Sequence, residues 1–258
     1  MNKKYIFIDL DGTIIDHSIN GIPESAKKAI RLLKENGHEV ILATGRPPSL
    51  FYGVEKKLDI DSYIASNGKI VVSKGKLIHN ECIDNEVVNR LVELAENEKI
   101  DLAFESMTDY VLNTDITKLS SKFSDVYHLE YPKLQHNYHL THDIYQMVLF
   151  YTKSDYHRFE KLFPTLSFHF ANKYGIDINA IGGLKEIGIK KITEEKGIAI
   201  EDTIAVGDGL NDVSMIEYAH CGIAMGNAHE ALKEAADIVT DSVDNDGLYK
   251  AFKKLKMI

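Results

Sequence analysis

Short apolar runs alternate with helical segments at both ends of this chain, and this alternation restricts its possible folds more than any other feature. The run Tyr5-Ile6-Phe7-Ile8 precedes a helical segment that begins at Pro23 and stops at Gly37, and residues 39–43 form the next apolar run. Such alternation is typical of parallel strands joined by right-handed crossovers, whose loops converge at one edge of the sheet. The sequence therefore predicts an α/β fold.

The middle of the chain follows a different pattern. Helical segments near residues 86–97 and 155–163 are mixed with strand-like runs at 102–105, 110–112, 145–151, 168 and 176–179, whereas residues 118–143 show no clear period. Strands grouped in this way are typical of an α+β unit. Because the alternation resumes at Gly182-Gly183, we expect a core domain of residues 1–82 and 184–258, split by a domain of residues 83–183.

Local signals predict the ends of individual elements. Pro47 favours a helix that continues to about Leu58, because proline is well accommodated in the first turn of a helix. Asn67-Gly68 predicts a turn into a hairpin around residues 70–72 and 77–78. Asn227, with Glu230 three residues later, is typical of a helix N-cap.

Two of the apolar runs end in paired aspartates. Asp9 and Asp11 follow the run at residues 5–8, and Asp208 and Asp212 follow the run that ends at Val206. A strand as apolar as the first is typical of the centre of a sheet, where strand ends face the ligand crevice. A single acidic turn is common in loops. Two such turns on one sheet instead predict a divalent metal site, because hard cations prefer carboxylate oxygens.

These two segments, with Ala43-Thr44-Gly45-Arg46 between them, resemble the haloacid dehalogenase superfamily of aspartate-nucleophile phosphohydrolases. Residues 222–228, Gly-Ile-Ala-Met-Gly-Asn-Ala, resemble its Cof-type subfamily IIB, the sugar-phosphatase branch. The resemblance implies a Rossmann-like three-layer core with an inserted α+β cap of the C2 type, which would close over the site and select the leaving group. It also implies Mg²⁺-dependent hydrolysis of small phosphomonoesters, such as sugar phosphates, through an aspartyl phosphate.

The resemblance assigns catalytic roles to the first acidic loop. Asp9 is the expected nucleophile, and a bound Mg²⁺ would offset its repulsion of the phosphate. Asp11 is the expected general acid and base, which requires surroundings that raise the pKa of its carboxyl from the usual value of about 3.9. Asp9 and Asp208 would supply carboxylates to the metal, and Asp11 its backbone carbonyl. Asp212 would hold a metal-bound water or a neighbouring side chain.

Phosphate contacts are expected from the segment after the second strand. Thr44 and the amide of Gly45 would receive phosphoryl oxygens near the start of the next helix. Arg46 would contact either the phosphate or the sugar. The resemblance also places Leu10 among the phosphate-binding residues. Asn211 would hold the phosphate or the cationic side chain, or serve as the N-cap of the helix that follows it.

The cation that neutralises the phosphate has several candidates. Lys185, Lys190 and Lys191 all lie in the expected region. Relatives in this branch commonly carry Ser-Lys or Thr-Lys after a glycine-rich turn, with Gly-Ile three residues beyond the lysine. Gly182-Gly183-Leu184-Lys185 fits that register, although Leu184 replaces the hydroxyl. We therefore expect Lys185 in this role, with Lys190 as the alternative.

Composition excludes other classes of function. The net charge of −9 and the lack of a basic stripe argue against nucleic-acid binding. The first apolar run is too short for a signal peptide or a membrane span. Two widely separated cysteines, Cys82 and Cys221, suit a reducing cytoplasm. We expect a cytoplasmic protein whose partner is a small phosphorylated metabolite, with no membrane contact and no obligatory protein partner.

The inserted segment contains further polar residues. Four of them are histidines, but no cysteine accompanies them and their spacing matches no common zinc motif, which favours a polar loop; they are His128, His136, His139 and His142. Asp177 and Asn179 would contact a sugar hydroxyl, although alternation along a strand explains them equally well.

Two other functions fit the same motifs. A phosphomutase of the same superfamily would share the nucleophile and the acid, and only its products would differ. A non-enzymatic phospho-receiver would keep a long-lived phosphate on Asp9, but the acid/base residue Asp11 argues against it. The Asp-Lys-Thr-Gly-Thr motif of cation pumps is absent.

Overall fold

The structure is a computed structural model that describes residues 2–114, 117–127 and 131–258. Within these residues the strands are β1 Tyr5–Ile8, β2 Glu39–Ala43, β3 Tyr63–Ala65, β4 Ile70–Ser73, β5 Lys76–Asn80, β6 Asp101–Glu105, β7 Tyr110–Leu112, β8 Lys133–Leu134, β9 Gln146–Phe150, β10 Leu166–Asn172, β11 Gly175–Ala180, β12 Thr203–Gly207, β13 Cys221–Ala224 and β14 Ile238–Val239.

The α-helices of the same residues are α1 Glu24–Glu35, α2 Val54–Lys57, α3 Asn85–Glu98, α4 Lys118–Tyr127, α5 His157–Leu162, α6 Lys185–Lys196, α7 Val213–Tyr218, α8 Glu230–Ala235 and α9 Gly247–Lys254. None of these helices combines the length and the apolar character that crossing a bilayer requires.

The chain divides into two compact units. The first consists of Met1–Arg46, Phe51–Asn80 and Leu184–Ile258. The second consists of Pro47–Leu50 and Glu81–Gly183. Segments from both ends of the sequence therefore build one unit, and most of the middle builds the other.

The first unit is organised around an eight-stranded sheet, with the strand order β14-β13-β12-β1-β2-β3-β4-β5. The strands from β14 to β3 pair in parallel, whereas β4 and β5 extend one side as an antiparallel hairpin. β1 lies between β12 and β2, and Ile8 is level with both Val206 and Leu42. The loops that follow these three strands therefore begin at the same edge of the sheet.

Both faces of the central part of this sheet are buried, which explains why β1 is apolar throughout. Ile6 and Ile8 point to one face, where they share a core with Leu33 of α1 and Phe252 of α9. Phe7 points to the opposite face and belongs to the core that contains Ile189 of α6. Burial of a side chain of this size contributes about 1.5–3 kcal/mol. Helices on both faces make the three layers of an α/β fold.

The second unit contains a six-stranded sheet, with the order β10-β11-β9-β6-β7-β8. Its strands pair antiparallel except for β7 and β8. Leu91 of α3 and Phe159 of α5 are fully buried in a core with Leu149 and Phe168 from this sheet. The predicted fold class, a parallel α/β core with an inserted α+β unit, is confirmed.

Two local predictions differ from the structure. The segment expected to form one helix from Pro47 to Leu58 contains a 3₁₀ turn at Pro48–Leu50, and α2 begins only at Val54. Tyr52 and Gly53 separate the two pieces with φ angles of 50° and 73°. A right-handed helix cannot continue through left-handed residues, so that prediction is wrong.

The region without a clear sequence period also contains a helix, α4. Its Phe123 packs edge-on against Phe150 of β9, with ring centroids 5.4 Å apart. Packing against the sheet stabilises this helix, and such a contact between distant residues leaves little trace in local periodicity.

Gly188 of α6 provides a test of the packing between that helix and β3. A Cβ at this position would lie within 2.8 Å of three side-chain carbons of the buried Ile64. We expect Gly188→Ala to destabilise the protein by about 1–3 kcal/mol through overpacking, which exceeds the gain in helix propensity of up to about 1 kcal/mol. The measurement is the urea midpoint, with the exposed Glu195→Ala as control. A midpoint raised by Gly188→Ala would contradict this packing.

Candidate active site

The two acidic loops meet because the strands that precede them are neighbours. Asp9 continues the pairing of β1 beyond its last residue, since its amide donates to the carbonyl of Val206 at 2.9 Å. Asp208 follows β12 directly, and Asp212 lies one turn further on. Carboxylate oxygens of Asp9, Asp208 and Asp212 lie within 4.8 Å of one another. The sequence prediction that these three side chains share one place therefore agrees with the geometry.

Lys185 brings a positive charge into this acidic cluster. It is the first residue of α6, its side chain is fully buried, and its Nζ lies 2.5 Å from Asp9 Oδ1. The same ammonium forms an ion pair with Asp212. Lys190 instead pairs with Glu186 at 2.9 Å on the outer side of the helix, where nearly half of its side chain is exposed. Of the two lysines, only Lys185 has the position that a phosphate-neutralising cation would need.

Burial and charge together alter the protonation of these groups. Burial, reinforced by the charge of Asp212, raises the pKa of Asp9 well above its usual value, although Lys185 opposes this shift. Burial and the same neighbour raise the pKa of Asp208 to about 6. Burial alone would lower the pKa of Lys185, but the carboxylates of Asp9 and Asp212 raise it overall. Lys185 is therefore charged at neutral pH.

Asp212 holds the acidic loop together. Its Oδ2 accepts hydrogen bonds from the amides of Asp208 at 2.9 Å and Gly209 at 2.8 Å, while Oδ1 binds Lys185. Both oxygens are thus engaged within the protein. Of the two roles expected for Asp212, this geometry favours holding a neighbouring side chain over holding a metal-bound water.

Gly12 allows the two loops to approach closely. Its φ is +77°, and a Cβ at this position would collide with the carboxylate of Asp208. Thr13 stabilises the same contact, because its hydroxyl donates to Asp208 Oδ1 at 3.1 Å. Any larger residue at position 12 would separate Asp208 from the first acidic loop.

Asp11 has partners that the sequence did not indicate. Its carboxylate accepts from Arg46 Nε at 2.7 Å and Nη2 at 2.5 Å, and His17 Nε2 lies 3.1 Å away. Although burial opposes the shift, these bonds from His17 and Arg46 lower the pKa of Asp11 to about 2. The surroundings required for a general acid were expected to raise this pKa. In this arrangement they lower it, because the bonds from His17 and Arg46 together outweigh burial.

The segment after β2 lies where phosphate contacts were expected. Thr44 is buried, and its Oγ1 accepts from the amide of Arg46 at 3.1 Å. Arg46 itself extends to Asp11. The side chain of Leu10 is buried in the core, and its carbonyl accepts from the amides of residues 14 and 15. Only the amide of Leu10 is therefore suited to a phosphoryl oxygen.

Two asparagines have contacts that the sequence did not indicate. Asn211 lies inside a 3₁₀ turn rather than at a helix N-cap, and its Nδ2 donates to Asn67 Oδ1 at 3.0 Å instead of contacting Lys185. Asn227 does not cap α8, because His229 provides that cap. Asn227 Nδ2 instead donates to Asp208 Oδ2 at 3.1 Å. These asparagine contacts join residues that are distant in sequence.

The histidines of the second unit show no metal-binding arrangement within the part of the chain that the structure describes. His136 bonds to the carbonyl of Asn113 at 2.6 Å, and the ring of His142 stacks on Tyr138 at 3.9 Å. His128 lies outside the described residues. Among the described residues, the acidic cluster is the group of three or more potential ligands that could hold a metal ion.

The donor set of the acidic cluster fits Mg²⁺. Hard cations prefer oxygen ligands, and Mg²⁺ commonly uses one or two protein carboxylates together with water and phosphate oxygens. Asp9 and Asp208 offer such carboxylates at adjacent strand ends. Three carboxylates face one ammonium here, so a divalent cation would also offset the excess negative charge.

Comparisons with known proteins agree with the fold. The chain belongs to the haloacid dehalogenase-like hydrolase family, whose model matches residues 6–252. Its relatives place it in the Cof-type branch, subfamily IIB, so the predicted family and the prediction of a hydrolase are confirmed.

Individual relatives cover the entire chain. "Putative phosphatase YkrA" of Bacillus subtilis (strain 168) is 36% identical over 260 residues, which span 100% of both proteins. The crystal structure of a hypothetical protein from Geobacillus kaustophilus HTA426 matches with a TM-score of 0.96 and 33% identity, covering 100% of both chains. The HAD subclass IIB sugar phosphatase BT4131 matches with a TM-score of 0.82 and 29% identity, covering 99% of this chain and 100% of that one.

Removing the charge of Lys185 should destabilise the protein in a pH-dependent way. Lys185→Met leaves two buried carboxylates without their cation, which typically costs about 3–5 kcal/mol. A carboxyl group whose pKa is raised on folding destabilises the fold as the pH rises above its pKa in the unfolded chain. The free energy of unfolding should therefore fall more at about pH 8 than at about pH 5.5. Urea midpoints measured in EDTA test this, with Lys190→Met as control. If Lys185→Met lowered the urea midpoint equally at both pH values, this charge effect would be excluded.

Arg46 should control the ionisation of Asp11. Arg46→Gln removes the guanidinium, so the remaining effect of burial should move the pKa of Asp11 upward from about 2. NMR titration of the carboxyl carbon measures this shift. Arg31→Gln, which removes an exposed partner of Glu35, serves as control. An unchanged pKa in Arg46→Gln would show that His17 alone determines the ionisation of Asp11.

Proposed function

We propose that this chain is a magnesium-dependent phosphatase that hydrolyses small phosphomonoesters through a phosphoryl group carried on Asp9. The observation that carries this proposal is the position of the Asp9 carboxylate, which follows the central strand and lies 2.5 Å from the ammonium of Lys185. A buried carboxylate beside a cation can approach a phosphate dianion that it would otherwise repel.

The reaction follows from two carboxyl groups at one loop. Asp9 attacks phosphorus, the bond between phosphorus and the leaving oxygen breaks, and Asp11 gives that oxygen a proton. Water then attacks phosphorus and gives a proton to Asp11 while the bond to Asp9 breaks. Inorganic phosphate leaves, and both carboxyl groups return to their starting states.

Asp9, Asp208 and the backbone carbonyl of Asp11 are the proposed ligands of Mg²⁺, which when bound supplies positive charge against the repulsion between Asp9 and the phosphate. Lys185, which pairs with Asp9, supplies a second positive charge. Thr44 and the amides of Leu10 and Gly45 would donate hydrogen bonds to phosphoryl oxygens.

Arg46 explains how Asp11 can serve as an acid despite its low pKa. Arg46 forms an ion pair with Asp11. A phosphoryl group carries more negative charge than a carboxylate and would compete for the guanidinium. Once Arg46 binds phosphate, the loss of its bond moves the pKa of Asp11 upward, which is the direction that proton donation requires, although the bond from His17 still opposes this shift.

The proposed substrates are sugar phosphates and related small metabolites. The similarity to the sugar phosphatase BT4131 along the entire chain supports this class. In the second unit, Gln146 is level with Asn179 on one side and Glu105 on the other, so polar side chains share one face of its sheet. We propose that this unit selects the leaving group, with Asn179 and Asp177 contacting its hydroxyls.

Substituting the nucleophile should abolish turnover. Asp9→Asn removes the attacking oxyanion, so we expect phosphate release to fall by at least about a thousandfold while the circular dichroism spectrum stays unchanged. The assay measures inorganic phosphate from a panel of phosphorylated sugars and cofactors, with Mg²⁺ or with EDTA. Asp59→Asn, at an exposed carboxylate, is the control.

The same assay decides between the alternatives. EDTA should abolish the activity of the parent chain, and product analysis should show free phosphate and a dephosphorylated sugar. Full activity in Asp9→Asn would place the nucleophile elsewhere. Transfer of the phosphoryl group back to the sugar would identify a mutase instead of a phosphatase.

A further inference from the structure

Three consecutive residues after β3 adopt the left-handed backbone conformation. Ser66, Asn67 and Gly68 have φ angles of 47°, 51° and 93°. Glycine adopts this conformation freely and asparagine tolerates it, but serine does so at a cost. Strained backbone persists only where surrounding contacts enforce it, and such positions cluster at functional sites. The contacts of this turn therefore indicate which part of the site the strained backbone positions.

The backbone of the turn fixes the proposed phosphate loop on both sides of Gly45. The amide of Ser66 donates to the carbonyl of Arg46 at 3.0 Å, and the amide of Asn67 donates to the carbonyl of Thr44 at 3.1 Å. The bond from Asn67 depends on the left-handed conformation of Ser66, since an extended Ser66 would carry the next amide away. The turn thus holds Gly45 between two anchored neighbours.

The same turn also contacts the start of α6. A Cβ on Gly68 would collide with the carbonyl oxygen of Leu184, the residue that precedes Lys185. Only glycine allows this approach. The turn consequently lies between the Thr44-Gly45-Arg46 loop and the helix that carries the buried ammonium.

The side chain of Asn67 points toward Gly45. A Cβ on Gly45 would lie 3.2 Å from Asn67 Oδ1, 3.3 Å from Asn67 Nδ2 and 3.4 Å from Asn211 Nδ2. Asn211 donates to Asn67 Oδ1 at 3.0 Å, which uses the acceptor end of the Asn67 amide. The donor end, Nδ2, has no hydrogen-bond partner among the described residues and lies close to Gly45.

We propose that Asn67 is a phosphate-binding residue, oriented by Asn211, whose Nδ2 donates a hydrogen bond to the phosphoryl oxygen that the Gly45 amide also contacts. This inference rests on the proposed phosphatase function. A neutral donor suits the position, because it adds a bond to the anion without pairing with the nearby carboxylates. The strained turn is then the device that places this donor.

Two substitutions separate the side chain from the backbone. Asn67→Gly removes the side-chain amide, but glycine accepts the left-handed conformation, so the backbone of the turn is retained. Asn67→Asp keeps the size, the tolerance of that conformation and an acceptor for Asn211, but it replaces the donor by a charge. Asn137→Gly is the matched control, since Asn137 is an exposed asparagine with a φ of 58° in the second unit.

The measurements are KM and kcat for p-nitrophenyl phosphate with Mg²⁺, the inhibition constant of inorganic phosphate, and the melting temperature. For Asn67→Gly we expect KM and the phosphate inhibition constant to rise about tenfold, in line with loss of a hydrogen bond to a charged group. The effect of Asn67→Asp should be larger, because its carboxylate repels the phosphate. The melting temperature of Asn67→Gly should stay within about 2 °C of the parent.

Other outcomes would overturn the proposal. Phosphate affinity equal to the parent in either Asn67→Gly or Asn67→Asp would show that the residue acts only through its backbone. A fall in melting temperature with unchanged KM would show the same. If the parent chain neither hydrolyses the probe nor binds inorganic phosphate in calorimetry, the proposed phosphatase function fails, and this inference fails with it. Activity in the parent with an unaffected Asn67→Gly would reject the inference alone.

Discussion

The buried ammonium of Lys185 is the interaction on which the rest of the site depends. It binds Asp9 at the end of the central strand and Asp212 in the second acidic loop, with no exposure to solvent. Asp212 in turn accepts the amides of Asp208 and Gly209, so one cation connects two strand ends and a helix start. Without this charge the carboxylates would repel one another in a medium of low polarity. The same geometry still leaves more negative than positive charge, which is the condition that favours a divalent cation.

Much of the fold and the centre of the site could be predicted from the sequence, for a definite physical reason. The run at residues 5–8 is apolar at every position, because Ile6 and Phe7 face opposite buried layers, and such a strand must be internal. Neighbouring parallel strands end at one edge, so Asp9 and Asp208 were expected to meet. Lys185 was distinguished from Lys190 by resemblance to a family, since periodicity alone does not reveal which lysine is buried.

The remaining features depend on contacts between side chains that no local pattern records. Asp11 was expected to lie in surroundings that raise the pKa of its carboxyl, but its bonds with His17 and Arg46 lower this pKa instead. Asn227 resembled a helix cap and instead contacts Asp208. The expected helix after Pro47 is broken by two left-handed residues, which reflects tertiary constraints and not helix propensity. Each of these errors concerns which partner a polar group or a backbone segment finds, and sequence spacing carries little information about that choice.

The central position of β1 has a consequence for how the nascent chain acquires its structure. One edge of β1 can pair with β2 soon after residues 39–43 have been synthesised, but the other edge waits for β12 at residues 203–207. The ribosome must produce the entire inserted unit during that interval. An apolar strand with an open edge is a template for association with other chains. The strands of the inserted unit pair among residues 101–180 and do not supply the missing neighbour of β1. Even if this unit folds early, the open edge of β1 therefore needs protection until β12 has been synthesised.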